Sequence, residues 1–86
     1  MATYGKYYAV RDAGTPSRLG RLHQTYPYTL RGLEAALEDA RFRSYGKTPI
    51  VVVVLENRRS RVIRRYEHGR EMSLEWPPRE NEALAA

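Results

Sequence analysis

Residues 49–66 read PIVVVVLENRRSRVIRRY, an uncharged run that enters a polar turn and returns studded with arginine. β-branched residues crowd Ile50 to Val54, and the run is too short and too uniform for an amphipathic helix, so it reads as a strand from Ile50 to Glu56. Asn57-Arg58-Arg59-Ser60 supplies the turn, and Arg61 to Glu67 the returning strand. Successive side chains of a strand point to opposite faces. Ile50, Val52 and Val54 therefore share one face, and Val51, Val53 and Leu55 the other. On regular alternation Arg61, Ile63 and Arg65 face one way, and Val62, Arg64 and Tyr66 the other.

An antiparallel sheet with one wet face alternates apolar and polar residues. The valine strand does not, and a single helix covers only one of its faces. The expectation is that Val51, Val53 and Leu55, with Trp76 beside them, meet a second copy in a homodimer or a protein partner. The alternative is that Met72, Leu74, Trp76 and the tyrosines of the first strand close that face within one chain. An uncharged β-branched run also has the signature of an aggregating segment. Pro49, Glu56 and the following arginines stand where gatekeepers stand.

Outward from the hairpin, Tyr4 to Asp12 has strand character. Ala13 to Ser17 is a loop with glycine and proline, and Arg18 to Thr25 is a short second strand weakened at Gly20. Thr29 is a helix N-cap, and LRGLEAALEDARFRSY runs from Leu30 to Tyr45. Leu30, Leu33, Leu37 and Ala40 form its apolar stripe, with Ala36 beside them. Asp39 and Arg43 are an i,i+4 pair, and Gly46 is the expected left-handed stop. His68-Gly69-Arg70 reads as a turn, and Glu71 to Trp76 as a short edge strand or packed arm. The fold expected is α+β: an antiparallel sheet of four to five strands in the order β-β-α-β-β, with one helix packed on one face. Residues 1–76 are read as a single α+β domain, with core residues Val10, Leu30, Leu33, Leu37, Ala40, Val52, Val54 and Ile63 or Val62. Residues 77–86 are read as a tail, disordered or a short helix.

Composition narrows the chemistry. The chain has 86 residues and no cysteine, which removes disulfides, cysteine-bearing zinc sites and thiol catalysis together. Cysteine-free composition and the lack of an apolar run of membrane-spanning length or a signal-peptide layout point to a cytoplasmic protein without a membrane role. Net charge is +5, and of fifteen cationic side chains only Lys6 and Lys47 are lysine. Arginine-rich codon usage explains this as well as a need for guanidinium forks that fit phosphate or carboxylate.

The candidate contact set is Arg58, Arg59, Arg61, Arg64, Arg65, Tyr66 and Arg70. A basic ribbon can straddle a phosphate backbone, and Tyr66, Tyr26 and Tyr28 are candidates for stacking on bases. The competing interpretation is a solvated face in which these arginines pair with Glu56, Glu67 and Glu71. Seven tyrosines against one phenylalanine and one tryptophan also suit an interface. His23 and His68 lack metal-ligand spacing, so neither a metal nor a cofactor is expected. Glu67, His68 and Glu71, or His23 with Tyr26, have the residue types of an acid–base site but no spacing that singles them out. The functional expectation is a non-catalytic protein, not an enzyme, that grips nucleic acid, a nucleotide or an anionic protein surface through the hairpin. The alternative is a protein-binding module or inhibitor, such as a phage-encoded inhibitor of a host or defence protein, acting through its apolar sheet face or edge.

Overall fold

The valine run forms a strand over Ile50–Glu56 and the helix starts after Thr29, as their patterns place them, and the remaining strands assemble around them. The computed structural model describes residues 5–15 and 18–74. In chain order these form β1 (Lys6–Asp12), β2 (Leu22–Pro27), α1 (Leu30–Arg43), β3 (Ile50–Glu56), β4 (Arg59–Glu67) and β5 (Arg70–Met72). All strand pairs are antiparallel, in the spatial order β2-β1-β3-β4-β5. The α+β architecture expected from the sequence is thus the one observed. Trp76 and the 77–86 tail lie outside the described residues.

Thr29 caps α1 from an extended backbone: its Oγ1 accepts the Gly32 N–H at 2.9 Å. Gly32 is required by contact. A Cβ there would stand 1.9 Å from the Pro27 carbonyl oxygen. The helix lies close to the sheet along its smallest residues, Gly32, Ala36 and Ala40, all buried. This rotation corrects the expected stripe. Leu33 and Leu37 flank the contact, and Leu30 swings out to 73% exposure. Tyr8 and Tyr66 fill the space between helix and sheet with Val10, Ile50, Val52 and Val54. The helix stops at Ser44, whose N–H reaches the Ala40 and Arg41 carbonyls. Gly46 is not the left-handed stop, because the positive-φ glycines among the described residues are Gly14 and Gly69.

The second strand begins later than expected. Arg11 donates from Nε and Nη2 to the Gly20 carbonyl, at 3.0 and 2.9 Å, and the Gly20 N–H returns to the Asp12 carbonyl at 3.0 Å. These bonds hold the chain near Gly20 as an irregular extension of the first hairpin, and regular pairing starts at Leu22. Pro27 can end β2 because that strand is a sheet edge, where its missing N–H costs no ladder bond.

Two register shifts alter which way side chains point. Val10 pairs with Gln24 but Arg11 with Leu22, so His23 is the extra residue. Val53 pairs with Val62 but Val52 with Arg64, so Ile63 is the extra residue in β4. A bulge breaks the alternation. Arg61, Arg64 and Tyr66 pair with Val54, Val52 and Ile50, residues of the helix-facing side, while Val62 and Arg65 lie opposite Val53 and Val51 on the other. Regular alternation had set Arg61 against Arg64 and Tyr66.

The far face is closed by the chain itself. Val51 is 2% exposed and Val53 fully buried, in a cluster with Ala9 and Ala13, against which Leu19, Leu55 and Val62 pack. β3 is a central strand, and Val51 is flanked on this face by Arg11 and Arg65. Val51 and Val53 are therefore not available as a dimer or partner interface. A run that is apolar on both faces needs no second molecule when residues of its own chain pack against both.

Candidate functional site

β3 and β4 are joined by Asn57 and Arg58 alone, with Glu56 opposite Arg59. Both turn residues have positive φ, 51° and 72°. A two-residue turn of this kind matches the right-handed twist of the strands and strongly favours glycine at its second position. Here that position holds Arg58. The turn is shorter than the four residues expected, because Arg59 and Ser60 already belong to β4.

The structure divides the expected contact set. Arg58 stands at the tip, and Arg59 and Arg61 follow on the face shared with Glu56 and Val54. Side chains two apart on a strand are separated by about 6.6 Å. Arg59 and Arg61 thus form a short row that lines a shallow groove with Val54, Glu56, Asn57 and Ser60. All three arginines are exposed, and none has an ion pair or side-chain hydrogen bond within the described residues.

The next two arginines are engaged. Arg64 donates from Nη1 to the Ile63 carbonyl at 2.7 Å and lies 3.6 Å from Glu71. Arg65 pairs with Glu67 at 3.0 Å. Arg70 opens β5 opposite Glu67, at the other end of β4 and about 26 Å along that strand from Arg59. Tyr66 is buried in the core at 6% exposure, and burial above all pushes its phenol up from 10.0. Its ring is not a stacking platform, which corrects the sequence-based expectation.

Other residues lie at the hairpin end, among them Tyr28, a stacking candidate from the sequence, and Lys6 and Arg31, which the sequence did not single out. Lys6 lies opposite Glu56 and reaches it at 3.6 Å; its Nζ also sits 4.4 Å from the centre of the Tyr28 ring. Tyr28 stacks on Tyr8 with ring centres 5.0 Å apart. Pro27 is opposite Tyr7, and Tyr7 opposite Leu55, so α1 and its Arg31 begin at the same end of the sheet as the hairpin tip. Pairing across β1 brings these residues together from separate segments, a grouping that no local pattern marks.

The acid–base candidates do not converge. His23 Nε2 is 2.7 Å from Asp12 Oδ1, whereas the Tyr26 hydroxyl donates to Asp39. Glu67 and Glu71 are held by separate arginines. Of the remaining interface candidates, Leu55 is half-buried and Trp76 lies outside the described residues. Among the described residues no cluster of His, Asp or Glu fits a metal ion, and no helix is long and apolar enough to cross a membrane. Comparison with protein families, curated proteins and solved structures finds no match to this chain.

Proposed function

We propose that this is a small non-catalytic binding protein that grips an anionic partner through its hairpin end, with Arg58, Arg59 and Arg61 as the contacts. One observation carries the reading. Among the described residues, the three arginines nearest the tip have no carboxylate partner, while their neighbours Arg64 and Arg65 do. Unpaired guanidinium groups in a row suit the phosphates of nucleic acid or a nucleotide and the carboxylates of an anionic protein surface. The apolar sheet face loses ground as the contact surface, because Val51 and Val53 are buried.

Retention on immobilised heparin tests the charge reading. The protein is expected to bind at low salt and to elute as salt rises, with a logarithmic slope equivalent to about three displaced counterions. Arg59→Gln with Arg61→Gln is expected to lower both retention and slope. Elution of wild type and variant at the same salt concentration contradicts the proposal.

A further inference from the structure

β4 runs for nine residues, but β5 pairs only with Arg65, Tyr66 and Glu67. Among the described residues nothing pairs with the outer edge of β4 from Arg59 to Arg64. Alternate backbone N–H and C=O groups there point away from β3, and such a row is a template for another strand. Two of the three arginines without a partner among the described residues, Arg59 and Arg61, lie in this segment, and Arg58 directly precedes it. Building on the binding reading above, we infer that this edge is a docking site for an extended acidic segment of another protein, which adds to the sheet as a strand beside β4.

Three features select that occupant. First, carboxylates at alternate positions of an incoming strand lie beside Arg59 and Arg61, and opposite charges on neighbouring strands attract. Second, a second copy of β4 would set arginine against arginine, so the edge disfavours self-pairing. Third, the side chains along it give aliphatic rather than aromatic contact. Val62 and Ile63 are half-buried on opposite faces of the sheet, and the nearby ring of Tyr66 is enclosed in the core. Bases would find no stacking surface there, whereas the alternating side chains of an added strand find one aliphatic neighbour on each face. The bulge sets the limit of the template. At Ile63 the carbonyl already accepts Arg64 Nη1, so regular pairing is available from Arg59 to Val62.

The test uses the intact protein and three labelled probes at low salt, read by fluorescence anisotropy. One is a short peptide alternating glutamate and valine. The second is that peptide N-methylated on one or the other alternate set of amides. The third is single-stranded oligothymidine. The unmodified peptide is expected to bind, and methylation of one set only is expected to weaken it by about tenfold, through lost backbone hydrogen bonds. Hydrogen exchange of the outward amides between Arg59 and Val62 is expected to slow in the complex. Equal binding of all peptide forms without that protection, or binding of oligothymidine alone, overturns strand addition and leaves the hairpin-end reading standing. Failure of every probe to bind overturns both.

Discussion

The Gly69 amide donates a 2.8 Å hydrogen bond to Ser44 Oγ, fastening the β4–β5 turn to the end of the helix. The His68 N–H also reaches the Ser44 carbonyl, at 2.9 Å, and the Ser44 hydroxyl donates to the Arg41 carbonyl at 2.6 Å. Ser44 is 1% exposed, so its polar atoms have no water to fall back on. Ser44→Ala strands the Gly69 N–H and is expected to cost about 1–3 kcal/mol. Urea unfolding followed by circular dichroism measures this. Heparin retention is expected to stay unchanged, because the turn lies at the opposite end of β4 from Arg58.

Gly32→Ala has two opposing effects. Alanine favours the helix by about 1 kcal/mol over glycine. Its methyl group, however, would stand 1.9 Å from the Pro27 carbonyl oxygen, which forces the helix off the sheet. The contact dominates because that oxygen belongs to backbone held in β2. A net loss of about 1–3 kcal/mol in urea unfolding is expected, and a stabilised variant would contradict the close approach.

Arg58→Gly separates folding from binding. An L-residue with φ of 72° sits in a region that glycine occupies without steric cost. Relief of this strain, less the greater freedom glycine has in the unfolded chain, is expected to stabilise the protein by about 1 kcal/mol. The same substitution removes one of the three hairpin-end arginines and is expected to lower heparin retention. A rise in thermal midpoint together with earlier elution is the predicted pair of outcomes; a fall in both would show that Arg58 supports the fold.

The Tyr26 hydroxyl donates to Asp39 Oδ2 at 2.5 Å, while Arg43 Nε donates to Oδ1 at 2.7 Å. Burial, then the bond to Asp39, pushes the Tyr26 phenol up to about 12 from 10.0. Tyr8 and Tyr66 are raised too, mainly by burial. Folding therefore favours the protonated phenols. Their contribution is complete below pH 10.0 and is lost as pH climbs from there through about 12. Urea unfolding across this range is expected to show falling stability, with a shallower decline in Tyr26→Phe. A flat profile would contradict the assignment.

β3 was legible in the sequence to the residue, and Thr29 as the helix cap, because both rest on local chemistry: a β-branched run in one case, a hydroxyl aimed at a free amide in the other. Leu30 was misread because the tight contact of Gly32 with Pro27, invisible in the helix's own periodicity, sets the helix rotation. The division of the arginines was not legible either. It depends on the extra residue at Ile63 and on Glu71 returning beside Arg64, and both are properties of strand pairing. Val51 and Val53 misled because an uninterrupted apolar pattern records burial without saying which molecule provides it.

The sheet order carries a kinetic consequence. β3 meets β4 through a two-residue turn, but β1, the other neighbour of β3, is separated from β3 in the chain by β2 and the whole helix. Closing that long loop is the slower event. Until it happens, one side of the valine ribbon lies bare to other molecules of the same kind. Recovery from denaturant is therefore expected to fall as the chain is made more concentrated, even where the mature protein stays dissolved.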